Sequence, residues 1–367
     1  MNQVNWQRIV IKVGSALISP ERNGCSSHYL LPIASFIVRC RQRGIQVVLV
    51  SSGSVAAGAH LFNDKTTSIS VKKAMAAAGQ TEMVATWDRL FDFSSAQILL
   101  THADLSERER FISVSETLET LLNQGILPIV NENDTVTTDS VKVGDNDNLS
   151  AMVATASHAD ALIICSDIEG LYNANPHENS DAKLITEVDA ITAEIYQMAG
   201  GATSNVGTGG MKTKIQAAEK AVSHGVTTYI VNGFNQSSFD QLLRGENPGT
   251  KFLPYQTPLH EDTHWVRHTT KILGEIVVNN EFSLASEQSV NVVSTGDVID
   301  VVGDFSPGDI VLLRTSSGNK IAKARTNYSS CLLSVVAKQN DNVNSQPLVQ
   351  SSKSILSDKF SAKMEVS

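Results

Sequence analysis

As far as Gly249 the sequence alternates short, near-continuous apolar runs with stretches of helical periodicity, and that alternation leaves few folds open. The strand-like runs are Arg8–Val13, Gln46–Val50, Gln97–Leu100, Ile126–Val130, Ala161–Cys165 and Thr228–Val231. Between the first two, Leu30, Leu31, Ala34, Ile37 and Val38 recur at helical spacing, with Ser27 near the start and Gly44 just past the end. Pro32 falls early enough in that helix to be tolerated. Further helical stretches fall at about Val71–Leu90, Val114–Asn123, Leu149–Ser157 and Met211–Ser223. Strands apolar along their whole length are covered on both faces, so the spacing predicts an α/β fold: a mostly parallel sheet sandwiched by helices.

Polar clusters follow four of the strands: Gly14-Ser15, Ser51-Ser52-Gly53, Asn131-Glu132-Asn133-Asp134 and Ser166-Asp167. Open α/β sheets bind ligands at the carboxyl ends of their strands, so these clusters should converge on one crevice. Lys12 ends the first apolar run, where it must reach solvent, a partner or a ligand. The run Ser51–Gly58 is rich in hydroxyls and small side chains and suits either a tight strand-to-helix turn or an anion at a helix N-terminus. It is not a Walker A loop, because Ala59 stands where the lysine belongs. Residues 144–149, Gly-Asp-Asn-Asp-Asn-Leu, lack the spacing and closing glutamate of a calcium loop. Thr208-Gly209-Gly210 opens a helix bearing Lys212 and Lys214, which can bring amides and ammonium groups to phosphates or simply cap a surface helix. No G-x-G-x-x-G follows the first strand, which removes the main support for a dinucleotide dehydrogenase. Two lysines, a carboxylate cluster and glycine-rich turns are what phosphoryl transfer needs, since that reaction depends on positioning and positive charge.

The net charge of −9 argues against general nucleic-acid affinity, so an anionic substrate must meet a local positive site. Cys25, Cys40, Cys165 and Cys331 show neither C-x-x-C spacing nor paired histidines, which disfavours disulfides and zinc. With no signal core and no membrane-spanning run, a cytoplasmic protein without membrane association is expected. Prolines at 248, 254 and 258 mark residues 246–270 as a linker. Beyond it, Gly274–Val278, Val298–Val302, Asp309–Leu313 and Lys320–Lys323 predict a small β-rich domain, and Ser351–Ser367 reads as a loose tail.

Taken in order, these segments resemble the amino-acid kinase family. The resemblance rests on Val10-Ile11-Lys12-Val13-Gly14-Ser15, Val50-Ser51-Ser52-Gly53, Val130-Asn131-Glu132-Asn133-Asp134, Lys142–Ser150, Ser166-Asp167 with Gly170-Leu171-Tyr172, and Gly207–Lys214. It implies a catalytic domain over residues 1–256. It also implies an RNA-binding-type PUA-like domain over 271–350, matched by Gly303-Asp304-Phe305, Gly308-Asp309 and Asn327-Tyr328-Ser329. The implied reaction is ATP plus L-glutamate giving ADP and L-glutamyl 5-phosphate, which opens proline synthesis. By the same resemblance Lys12 and Lys214 would stabilise the transferring phosphoryl group, with Asp147 holding them in place. Ser52, Asp134 and Asn146 would bind glutamate. Lys12, Ser166, Asp167, Thr208, Gly209, Gly210, Met211, Lys212, Thr213 and Lys214 would line the ATP site, with Mg²⁺ on the phosphates and no metal held by protein ligands. A homo-oligomer (dimer or tetramer) is implied, with proline a candidate feedback inhibitor.

Two departures stand out. The family usually reads Leu-Tyr-Thr-x-Asp-Pro where this chain has Leu171-Tyr172-Asn173-Ala174-Asn175-Pro176, and its C-terminal glycine-rich signal is eroded to Ser286–Asp297. Residues 271–350 hold 6 basic against 8 acidic residues, a balance that speaks against RNA binding. The rivals are a related kinase acting on acetylglutamate, aspartate, carbamate or a nucleotide, and a non-catalytic sensor or RNA-binding protein. The paired lysines argue against the second.

Overall fold

A computed structural model describes residues 4–62, 68–136, 146–176, 178–199, 210–255, 272–279, 293, 297–340 and 356–363. The chain divides into two compact units, Met1–Pro258 and Leu259–Ser367.

In the first unit the elements run β1 (Arg8–Val13), α1 (Ser15–Ile18), α2 (Ser27–Gln42), β2 (Gln46–Ser51), α3 (Ser54–Gly58), α4 (Ile69–Asp88) and β3 (Ser95–Leu100). They continue with α5 (His102–Ser106), α6 (Arg108–Asn123), β4 (Leu127–Glu132), α7 (Asn146–Ala156), β5 (Ala161–Ser166), β6 (Glu187–Val188), α8 (Ala193–Met198), α9 (Met211–Ser223), β7 (Thr227–Asn232), α10 (Gln236–Leu243) and β8 (Thr250–Phe252). The eight strands form one sheet in the order β3-β4-β2-β1-β5-β7-β8-β6. Every pairing is parallel except β7 with β8. The mostly parallel α/β sheet expected from the alternation is therefore present. β8 corrects one detail: the prolines after 246 mark a linker, yet Thr250–Phe252 still pairs in the sheet, its hydrogen bonds falling between Pro248 and Pro254.

Alternation along β1 decides which side chain meets which layer. Ile9, Ile11 and Val13 point to a core shared with Ile33, Phe36 and Ile37 of α2, Met83 and Trp87 of α4, and Phe239 and Leu242 of α10. Val10 and Lys12 point the opposite way, toward the face on which α7 packs against β1 and α9 against β7. Every residue of α7 is buried. Asp147 of α7 meets Lys12 on this face.

The second unit holds β9 (Gly274–Val278), β10 (Val298–Gly303), β11 (Ile310–Thr315), β12 (Lys320–Thr326), α11 (Ser330–Asn340) and β13 (Leu356–Lys363). They make a five-stranded sheet, β10-β9-β11-β12-β13, over a small core that includes Ile276, Val278, Val311, Leu313, Ala322, Ala324 and Leu333. Within the expected loose tail, Leu356–Lys363 is instead a strand, β13, paired antiparallel with β12. The eroded stretch Ser286–Asp297 lies almost wholly outside the described residues. Among the described residues no helix is long and apolar enough to cross a membrane.

Candidate active site

The carboxyl ends of β4, β2, β1 and β5 lie side by side, with Val13 opposite Ser51 on one flank and Cys165 on the other. Lys12, Ser52, Asn131 and Ser166 are therefore neighbours in space although far apart in sequence. Gly53 makes the turn after β2 with φ of +102°, and a Cβ there would lie 2.6 Å from Ile18. Only glycine fits both demands.

Asp147 ties the site together. It lies in the first turn of α7, 2% exposed, and its Oδ1 takes the Lys12 ammonium. Its Oδ2 takes Lys214 Nζ from the first turn of α9 at 3.3 Å and accepts the Thr213 hydroxyl at 2.8 Å. Burial pushes this carboxyl up, but Lys12, then Lys214, and the hydrogen bonds from Lys12 and Thr213 outweigh it and hold the group well below the usual carboxylate range. Asp147 therefore stays ionised. Two buried ammonium groups converge on one carboxylate, which sets both at the place where an anion would be met. An acidic residue in the first turn of α7 also suits the positive end of that helix. The spacing had suggested a helix from Leu149; it begins at Asn146, so the polar Asn146-Asp147-Asn148 run is the first turn of the helix rather than a loop before it.

Asp134 forms a second centre, 4% exposed. Its Oδ2 accepts the Ser54 hydroxyl at 2.9 Å, and its Oδ1 is buried with no hydrogen-bond partner among the described residues. Burial pushes its carboxyl up, against a smaller downward pull from Ser54. Asn146, in the first turn of α7, accepts the Glu132 backbone N–H on its Oδ1 at 3.3 Å. Ser52 is buried, with its backbone N–H on Val13 O at 3.0 Å. On the other flank Ser166 closes β5 and donates to Asp167 Oδ1 at 3.0 Å, Asp167 itself being exposed. Gly210 precedes α9, Met211 is buried and Lys212 is exposed. Thr208 and Gly209 lie outside the described residues, as do residues 142–145 of the motif leading into α7. Asn175 caps a turn, its carbonyl accepting from the N–H groups of Glu178 and Asn179.

Sequence reasoning passed over Ser54 and Gln80. Ser54 was visible as a hydroxyl two residues beyond Ser52, but nothing in the sequence tied it to Asp134. Gln80 is buried at 9% exposure on the stripe of α4 that carries Ala76, Met83 and Trp87, where a polar residue is out of pattern. Cys165, flanking Lys12, has its thiol pushed up to about 12, by burial against an opposing effect of Lys12, and packs as an inert core residue. All four cysteines are free thiols.

Residues 7–232 match the amino acid kinase family. The chain belongs to that family. It is 57% identical to glutamate 5-kinase 1 of Pseudoalteromonas translucida, with all of both chains covered. It is 51% identical to the glutamate 5-kinase of Idiomarina loihiensis over 94% of each chain, and 45% identical to that of Salinibacter ruber over 89% of each. Within the family its place is with the glutamate 5-kinases.

Proposed function

We propose that this chain transfers the γ-phosphoryl group of ATP to the side-chain carboxylate of L-glutamate, giving L-glutamyl 5-phosphate as the entry to proline synthesis. The observation that carries the reading is the buried Lys12–Asp147–Lys214 bridge at the carboxyl ends of the sheet strands. A carboxylate with an ordinary pKa of about 4.3 is already ionised at neutral pH, so the attack needs no general base. The obstacle is bringing two anions together. Lys12 and Lys214 lower it by stabilising the charge that builds on the transferring oxygens, while Asp147 aims both ammonium groups.

Asp134 supplies the acceptor for the substrate ammonium through its unpartnered Oδ1, with Ser52 and Asn146 completing the glutamate pocket. That assignment also explains a preference for free glutamate over N-acetylglutamate, whose nitrogen carries no charge. Ser166, Asp167 and the segment Thr208–Lys214 receive ATP, the N-terminus of α9 facing its phosphates. Among the described residues no group of three or more His, Cys, Asp or Glu side chains could hold a metal, and both Asp147 oxygens are engaged by lysines. Mg²⁺ would be carried on the nucleotide phosphates, where it neutralises charge. The second unit is a PUA-like module with a regulatory or assembly role in a homo-oligomeric enzyme subject to proline, and its acidic balance makes RNA a poor ligand.

Hydroxylamine trapping of the acyl phosphate tests this directly. ATP-dependent hydroxamate should form with L-glutamate and not with N-acetylglutamate or aspartate. Equal yield from N-acetylglutamate would overturn the substrate assignment.

A further inference from the structure

Gln80 carries a buried Nε2 with no hydrogen-bond partner among the described residues. A chain of hydrogen bonds fixes which end of its amide is left over. The Glu132 backbone N–H donates to Asn131 Oδ1 at 2.9 Å, so Asn131 must turn its amide nitrogen elsewhere. That Nδ2 donates to Gln80 Oε1 at 2.7 Å. The free end of Gln80 is therefore the donor and not the carbonyl, since flipping either amide would set two donors or two acceptors face to face. A buried donor kept without an acceptor is costly, and a ligand that brings the acceptor relieves it.

The second leftover group is the acceptor Oδ1 of Asp134. Asp134 is held by a residue of the short helix α3, and Gln80 stands on α4 beside the point where α4 meets α3. Asp134 is held by the Ser54 hydroxyl at 2.9 Å. Gln80 follows Gly79, whose backbone lies so close to α3 that a Cβ there would be 2.0 Å from Ser54 O and 2.4 Å from the Gly58 nitrogen. The α3–α4 contact thus carries a residue that holds the buried anionic acceptor and, one residue past Gly79, the buried neutral donor. An amino acid presents the matching pair, an ammonium and a carboxylate, on a single carbon.

We infer that Gln80 donates its free amide hydrogen to the α-carboxylate of the substrate while Asp134 takes the ammonium. The inference rests on the glutamate reading above and names the group that recognises the amino-acid end. The γ-carboxylate is left for the phosphoryl group at Lys12 and Lys214. Being neutral, Gln80 adds no second positive centre to compete with those lysines for phosphate.

The test is steady-state kinetics of Gln80→Met in the full-length protein, with glutamate and with 4-aminobutyrate, which keeps the reacting carboxylate but lacks the α-carboxylate. Losing a hydrogen bond to a charged group should raise the glutamate KM about 10- to 100-fold. The KM for ATP should stay within about twofold and kcat within about threefold. The gap between glutamate and 4-aminobutyrate should shrink by about the same factor as the glutamate KM rises. Gln80→Glu keeps the acceptor for Asn131 but sets a carboxylate against the substrate, and should raise the glutamate KM further; it serves if the methionine variant does not fold. An unchanged glutamate KM in a folded variant overturns the inference, and so does a raised KM with the gap to 4-aminobutyrate intact. If the unmutated protein forms no hydroxamate from glutamate, the functional reading fails first, an outcome distinct from either.

Discussion

Lys12 and Asp147 meet as a buried ion pair that joins the end of β1 to the first turn of α7. The pair exists because Lys12 is an even-numbered residue on a strand whose odd-numbered residues face the α2 and α10 core. A one-residue slip of β1 would send the lysine into that core. Catalytic geometry here is thus a consequence of strand register.

Removing the counter-charge should be costly twice over. Asp147→Asn removes the buried carboxylate that both ammonium groups contact, a change of about 3–5 kcal/mol in comparable buried pairs. Turnover should fall as well, because neither lysine is aimed. Since its folded pKa is depressed, Asp147 contributes stability that is fully present above its unfolded value of about 3.9 and is lost as pH falls through the lower folded value. Thermal melts of both proteins should therefore differ by a constant amount from pH 5 to 8 and converge only in strong acid. A gap that closes near neutrality would contradict the assignment.

Asp134 predicts the opposite sign. Its pKa is raised, so the fold disfavours its ionised form, and the unliganded protein gains stability from this group as pH falls through the folded value. Asp134→Asn should melt higher than the parent at pH 7.5 without glutamate. Its KM for glutamate should rise at least tenfold, as expected for loss of a charged hydrogen bond, while the KM for ATP holds. In the parent the glutamate KM should climb as acidic pH protonates Asp134. A glutamate KM equal to that of the parent in the asparagine variant would remove Asp134 from the substrate site.

The contact between α3 and α4 admits no side chain. A Cβ at Gly58 would stand 2.1 Å from Met75 O, and one at Gly79 2.0 Å from Ser54 O. Gly79→Ala must push the helices apart, at a cost of about 1–3 kcal/mol or more, and shifts Ser54 away from Asp134. Denaturant melts should register the loss, and glutamate binding should weaken more than ATP binding. Parental values for both would mean that the two helices separate freely.

Much of this was legible in the sequence. The carboxyl ends of the main strands follow from apolar periodicity, and Met211–Ser223 is the helix that the spacing predicts. By contrast, α6 begins at Arg108 rather than Val114, and α7 at Asn146 rather than Leu149. Lys12 was readable because an ammonium group ending an apolar strand demands an explanation, and Lys214 because it follows a glycine-rich helix start. Partnerships across the fold were not. Ser54 with Asp134, and Gln80 with Asn131, depend on how closely α3 and α4 approach, which two glycines permit but do not announce. β13 escaped notice because Leu356–Lys363 is polar and charged, with few of the apolar residues that mark a strand.

A chain cut after Pro258 keeps the whole first unit, including Lys12, Asp134, Asp147 and Lys214. It should still form hydroxamate from glutamate and ATP, even if assembly or response to proline changes. A truncated protein that folds, assembles as the parent does and yet is inactive would show that the second unit completes the site.

The most direct test of the central claim is single-residue removal of each lysine. Lys12→Met and Lys214→Met keep the aliphatic stem and delete only the ammonium. At saturating glutamate and ATP, kcat should drop about 10²- to 10³-fold in each, the usual loss for one electrostatic stabiliser, with far-UV circular dichroism unchanged. Turnover near that of the parent in either folded variant would contradict the account.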